Sequence, residues 1–246
     1  MLALAGLPLS AQWLDVPPPD APKTKDGKVD MTGPVPRRPD GKPDLTGPWR
    51  QKDYRYLENI GADLKPEEFP IQPWAAELTK RRTQAENPSV NCLPLGVLMS
   101  ENMGYPFKIL TASPKLMVFL YALQGMYRQV FLDGRRLDVD AYNPLWMGFS
   151  TGKWDGDTLV VDTVGNNDKT WLDNGGHPMS EALHLTESYH RVDSGHLEKT
   201  IRIDDPKVFT KPFTVHEHYE YTPEEVLEFV CEASHEYDAA HMRSNK

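Results

Sequence analysis

Residues 171–187 read WLDNGGHPMSEALHLTE and bring Asp173, His177, Glu181, His184 and Glu187 into one short stretch. His177 precedes Pro178, which confines its backbone to extended conformations. An imidazole held in this way, with Asp173 or Glu181 in reach, could act as a general acid or base. The carboxylate would raise its pKa or hold its tautomer. The same residues would also suit a polar surface connection, capping turns through Asx-type hydrogen bonds. Asp173, His177, Glu181 and Glu187 are therefore the candidate catalytic set, with a structural reading beside it.

In ALHLTESYH, alternate residues share a face. His184, Thr186, Ser188 and His190 fall on one side; Leu183, Leu185, Glu187 and Tyr189 fall on the other, apolar side. Glu187 should then point inward, where a carboxylate must be paired or protonated. Arg128 and Arg191 are the partners that charge suggests. Such a glutamate is either a structural ion pair or the acid of a site. In TVHEHYEY, His216 and His218 share a face, a recurring way for a strand to present two imidazoles to one divalent metal. Glu220 could complete the set, or His184 and His190 if their strand were adjacent. The alternative is a solvated polar face. His235, Glu236 and His241 fall on the expected closing helix and read as an exposed charged surface.

Aromatic side chains supply stacking walls for sugar rings and planar molecules. Trp146, Trp154, Trp171, Tyr121, Tyr127 and Phe131 lie in or beside strand-like runs, and most belong to a core. Trp171, beside Asp173, is expected to line an opening. The candidate ligand contacts are Trp171, Trp146, Tyr127, Arg128, His184 and Tyr189. No Gly-rich phosphate loop, nucleophile elbow, or kinase or dinucleotide fingerprint occurs, so nucleotide chemistry and standard serine hydrolysis are disfavoured.

The elements that must position these groups are mostly strands. YPFKIL, KLMVFLY and MYRQVFL are rich in aromatic and branched residues. MGFSTGKW meets DTLVVDTVG across Asp155-Gly156, a strong hairpin signal. EALHLTESYHRV and HLEKTIRI flank Asp193-Ser194-Gly195, and FTVHEHYEY is followed by VLEFVCE. About nine sequential strands result, mostly antiparallel. A long meander hides its edges best by closing, so the expected fold is mainly β: a lipocalin-like or calycin-like barrel of eight or nine strands, with a two-sheet sandwich as the competitor. Its interior would admit one small ligand. A helix is expected within 65–86, centred on 73–85 and ending before Asn87-Pro88. NCLPLG reads as a turn, and 232–242 as a terminal helix.

Ten of the 22 prolines fall in the first fifty residues. Residues 13–64 therefore read as an extended arm, anchored near Trp49, ahead of a single domain over 65–246. The arm holds two copies of a short phrase, DGKVDMTGP at 26–34 and DGKPDLTGP at 40–48, too few for a solenoid. Residues 1–12 look like the remainder of a signal peptide, an apolar run ending in small residues without its positive start.

The chain has 246 residues, 39% hydrophobic and 26% charged, with a net charge of −9 and a pI near 5.4. Such a charge repels a phosphate backbone, so nucleic acid is not an expected partner. No run has the length of a membrane-spanning helix. Cys92 and Cys231 show no metal or redox spacing. They are either one long-range disulfide of an exported protein or two buried thiols.

PDGKPDLTGPW at 39–49, CLPLG at 92–96, YPFKI at 105–109, MGFSTGKWDGDTLVVDTVGNNDKTWLD at 147–173, GHPMSEALHLTE at 176–187 and LEFVCE at 227–232 resemble a group of secreted bacterial proteins frequent in acidobacteria and some proteobacteria. The resemblance spans 39–242. It implies export to the periplasm or beyond, and it carries over no activity and no catalytic residue. The chain departs from that group after the second cysteine, where Glu232-Ala233-Ser234-His235-Glu236 replaces Asn-Glu-Asn-Glu. Three functions fit these readings. The first is capture of a small organic ligand, aromatic or sugar-like, in a barrel cavity, with acid–base chemistry as an extension. The second is a lyase or hydrolase using His177 with a carboxylate or a metal on His216 and His218. The third is an envelope protein whose arm binds a partner.

Overall fold

A computed structural model describes residues 21, 23–138 and 141–231. The signal-like segment 1–12 and the expected helix 232–242, with His235, Glu236 and His241, lie outside the described residues. Nine strands close into one barrel in chain order: β1 Gly47–Gln51, β2 Phe107–Ser113, β3 Leu116–Tyr121, β4 Tyr127–Phe131, β5 Phe149–Asp155, β6 Thr158–Val164, β7 His184–Arg191, β8 His196–Asp204 and β9 Phe213–Tyr221. Period-two alternation is plain in the burial of β6, β7, β8 and β9, where every second residue is buried in the barrel.

The hairpins expected from sequence are present. Asp155 pairs with Thr158 across Gly156, whose φ of +56° is the left-handed conformation that glycine adopts without strain. Arg191 pairs with Leu197 around the 193–195 turn, where Asp193 Oδ1 accepts from Gly195 N at 2.9 Å.

The meander departs from its expected form at one seam. An odd number of strands cannot alternate direction all the way round a closed ring. One neighbouring pair must run parallel, and it is β4 with β5. That seam is held by two residue pairs, Val130–Ser150 and Phe131–Thr151, whereas β8 and β9 pair over eight positions. A parallel pair also needs a long crossover, here residues 132–148.

Closure itself comes from β1, which lies inside the stretch expected to be an arm. Trp49 pairs with Phe107 on one side and Tyr221 on the other, so a boundary at residue 64 cuts through the barrel. With β9 joined to β1, no sheet edge remains for VLEFVCE. Among the described residues this segment forms only an isolated bridge, Leu123 with Phe229, and not the expected strand. It is tied down instead by Arg50–Glu224 and Lys108–Glu225 ion pairs and by the Cys92–Cys231 disulfide.

The helices are short: α1 Arg55–Glu58, α2 Pro73–Arg81 and α3 Gly96–Asn102. Helix α2 starts on Pro73 at its first turn, as a missing N–H permits. It stops at Arg81, and a single 3₁₀ turn over Gln84–Glu86 completes the expected 73–85 span. Helix α3 follows the NCLPL turn and is buried along its whole length.

The arm wraps the barrel. Each copy of the repeated phrase makes the same tight turn, Gly27 N to Thr24 O at 3.0 Å and Gly41 N to Arg38 O at 2.9 Å. The first copy docks on the β7–β8 hairpin, where Ser194 N donates to Gly33 O at 3.0 Å and Ser194 Oγ to Asp30 O at 2.6 Å. The second docks on the β5–β6 hairpin, where Arg37 meets Asp157 and Lys42 Nζ donates to Gly156 O at 3.0 Å. Arg191, one of the two cations that charge alone offered to Glu187, instead donates to the carbonyls of Asp44, Asp193 and Ser194 and lies 4.9 Å over the Trp49 ring.

Candidate functional site

The inward faces of the barrel carry a layer of charge. Arg128 on β4 donates Nε to Ser150 Oγ at 2.8 Å, Nη1 to Glu187 Oε1 at 3.2 Å and Nη2 to Thr163 Oγ1 at 2.6 Å and to Glu187 Oε2. Lys199 on β8 places Nζ 2.6 Å from Glu101 Oε2, 3.1 Å from Glu187 Oε1 and 3.2 Å from Glu217 Oε2. Glu101 arrives from α3 and also accepts from Tyr121 Oη at 2.7 Å. Tyr189 Oη donates to Glu187 at 3.0 Å. The five ionisable groups Glu101, Arg128, Glu187, Lys199 and Glu217 are buried.

Their protonation follows from the arrangement. Burial alone would raise the Glu187 carboxyl, but Arg128 and Lys199 outweigh it and hold that carboxyl down at about 2. Burial would lower Lys199, and the carboxylates of Glu101, Glu217 and Glu187 instead raise it well above its ordinary value. Glu217 goes the other way: burial and the Glu101 charge raise it, despite the ion-pair distance to Lys199. Three carboxyl groups share one ammonium, and Glu217 is the one that burial and the Glu101 charge push toward its neutral form. Burial raises the phenols of Tyr121, Tyr189 and Tyr219, which remain neutral donors.

This layer reaches the outside at the parallel seam. Beyond the two pairs that join β4 to β5, the strands part, and a cavity of about 440 Å³ opens between residues 125–131 and 145–150. Tyr127, Met126, Trp146 and Met147 surround it, with Arg128 and Ser150 at its floor. Tyr127 is 58% exposed. Phe131 and Phe149, stacked with centroids 5.2 Å apart, close one side. Every guanidinium nitrogen of Arg128 already donates within the protein, and its charge faces Glu187. The floor therefore presents a neutralised, polarised surface and the Ser150 hydroxyl.

Three of the residues singled out from sequence, Trp146, Tyr127 and Arg128, meet in this cleft. Tyr189 lies beneath it, 3.4 Å from Arg128 Nη1. Glu187 does face inward, as alternation required, but it does not share a site with His177. Asp173, fully buried, accepts from Ile60 N at 2.6 Å and from His177 N at 3.1 Å, and lies 2.5 Å from His177 Nδ1. The His177 ring packs edge-on against Phe69, centroids 5.0 Å apart. Among the described residues no hydroxyl or thiol hydrogen-bonds its Nε2. Glu181 is exposed nearby. Trp171 was expected to line an opening; it is 5% exposed, and the Arg82 guanidinium covers it at 4.8 Å.

His216 and His218 sit on the outer face of β9. His216 Nδ1 meets Thr200 Oγ1 at 3.2 Å, and His218 lies 4.0 Å from Glu198. Strand β8 separates them from His184 and His190 on β7. Glu220 instead pairs with Lys52 at 2.8 Å. Among the described residues no group of three or more His, Cys, Asp or Glu comes together as a metal site. His184 Nε2 contacts Asp162 at 3.0 Å on the outer wall.

Sequence reasoning missed Glu101, Lys199 and Glu217. Two of the three left a signal. Lys199 alternates with Leu197, Ile201 and Ile203, and Glu217 with Val215 and Tyr219, so both had to face inward.

No protein-family model, curated protein or solved structure matches the chain. The functional reading therefore rests on this geometry.

Proposed function

We propose that the protein is an exported binder of a small, neutral, planar organic molecule, aromatic or sugar-like, held in the cleft between β4 and β5. The observation that carries this is the parted seam itself. Strand parity forces one parallel joint in the barrel wall, here held by only two residue pairs, and the residues gathered there are stacking side chains over a polar floor whose charge is already neutralised. A ring on Trp146 and Tyr127 would bury apolar surface, and its hydroxyl or carbonyl would reach Ser150. A neutral guest fits better than an anion because Arg128 has no uncommitted donor. Export is supported by the disulfide, which persists in oxidising compartments, and by the resemblance to secreted proteins; no helix of the described residues is long and apolar enough to cross a membrane.

The test is calorimetric titration with phenyl β-glucoside, for wild type and for Trp146→Ala. Saturable binding that weakens tenfold or more in the variant, with an unchanged unfolding midpoint, supports the reading. Equal binding by both proteins, or none by the wild type, removes it. The hydrolase or lyase alternative keeps the Asp173–His177 pair in its favour, since a buried carboxylate holding Nδ1 is how a general base is oriented.

A further inference from the structure

A second concavity, of about 550 Å³, lies on the outer wall where the crossover from β4 to β5 passes over β5, β6 and β7. Gly134–Leu137 form one side, and Thr151, Gly152 and Lys153 of β5 the floor. Asp162, Val164 and His184 complete it. Phe149 belongs to both concavities and stands between them.

The charge here opposes that of the whole chain. The protein carries −9, yet this surface gathers Arg135, Arg136 and Lys153, with Asp162 as the carboxylate in its lining and Asp133 paired to Arg135 beside it. That carboxylate is engaged already, by His184 Nε2 at 3.0 Å and by Thr186 Oγ1 at 3.0 Å. Arg135 is fixed in place: Asp133 accepts from its Nε at 2.9 Å and its Nη2 at 2.6 Å, and the guanidinium lies 4.1 Å over the Phe131 ring. Arg136 and Lys153 are exposed and have no ion pair or hydrogen bond among the described residues. An ordinary solvated surface of an acidic protein interleaves its signs, as Lys80–Glu77 and Arg202–Asp204 do here. Two unpaired cations facing one hollow, with Phe149, Leu137 and Val164 as apolar lining, form a different pattern.

We propose that this hollow binds a small organic acid, with its carboxylate between Arg136 and Lys153 and its apolar body against Phe149 and Leu137. A guanidinium meets a carboxylate through two parallel hydrogen bonds, and an ammonium adds a point charge. The surrounding negative surface steers anions away from the rest of the molecule and leaves this hollow as the favourable place. The site is independent of the neutral-ligand cleft on the far side of Phe149, and the two take chemically opposite guests.

The experiment is calorimetric titration of the full chain at low salt with benzoate and with benzyl alcohol, its uncharged counterpart. It is run on wild type, Arg136→Gln/Lys153→Gln and Trp146→Ala. Both substituted cations are exposed, so the double variant should keep the wild-type unfolding midpoint. Benzoate should bind saturably at one site, at least tenfold more weakly to the double variant and unchanged to Trp146→Ala. Benzoate binding that survives the double substitution, or that benzyl alcohol matches, overturns the proposal, as does an absence of saturable binding. Loss of benzoate binding in Trp146→Ala alone would also overturn it, by placing the acid in the cleft.

Discussion

Glu187→Gln isolates the charge layer inside the barrel. The substitution keeps shape and volume, so no cavity term enters. It removes the carboxylate that faces both Arg128 and Lys199, and it sets an amide N–H₂ against guanidinium donors. The magnitude follows from two routes. Lowering the carboxyl from 4.5 to about 2 corresponds to about 3 kcal/mol of folded-state stabilisation, at about 1.4 kcal/mol per unit. Removing one partner of a buried ion pair typically costs about 3–5 kcal/mol. The two agree, so Glu187→Gln should cost about 3–5 kcal/mol at pH 7.

The control is Glu217→Gln. That carboxyl is raised by burial and the Glu101 charge, so Glu217 gains less from ionisation than Glu187 does, and the amide should cost less than Glu187→Gln. The pH signs differ as well. Glu187 has a depressed folded pKa, so its contribution is full above about 4.5 and is lost as pH falls toward about 2. Glu217 has a raised folded pKa, so its contribution is full below 4.5 and is lost as pH rises through the folded value. Urea unfolding followed by tryptophan fluorescence at pH 3, 5 and 7 reads all of this. Wild type should lose stability between pH 5 and 3 more steeply than Glu187→Gln. If Glu187→Gln costs under about 1 kcal/mol, or if Glu217→Gln costs as much as Glu187→Gln, the charge assignment is wrong.

Cys92→Ser with Cys231→Ser opens a loop of 139 residues; the chain-entropy relation gives a loss of about 5 kcal/mol, read as a lower urea midpoint than that of the oxidised wild type. His177→Ala leaves Asp173 buried without its imidazole partner, so it should destabilise by about 1–3 kcal/mol while phenyl β-glucoside affinity stays unchanged; a stable variant that loses binding would make His177 a site residue. His216→Ala with His218→Ala removes only exposed side chains, so unfolding midpoints should shift by less than about 0.5 kcal/mol and metal content by mass spectrometry should not change.

Much of the barrel is legible in the sequence because strand alternation and Asp-Gly hairpins are local signals. Residues 149–164 show this: seven-residue strands of period two, joined by a turn that glycine dictates. Strand β1 is not legible, since Gly47-Pro48-Trp49 reads as part of a proline-rich arm and becomes a strand only through its neighbours β2 and β9. The reverse holds for 226–231, where an apolar run with strand propensity finds no open edge. Helix α3 is hidden because GVLMSEN is apolar on most sides and too short for a period to show, and Glu101 is hidden with it. Inward-facing Glu187 is legible from alternation alone. Its partner is legible by charge only, and only the register separates Arg128 from Arg191. The cleft depends on strand parity, a property of the closed ring that no single segment carries.

The most direct test of the ligand cleft is a heteronuclear NMR titration with phenyl β-glucoside that follows the indole N–H of each tryptophan and the backbone amides. The account predicts saturable shifts confined to Trp146, residues 126–131 and residues 147–150, with the Trp171 indole and the His177 amide unmoved. Shifts centred on Trp171 and His177, with the β4–β5 seam silent, would contradict it.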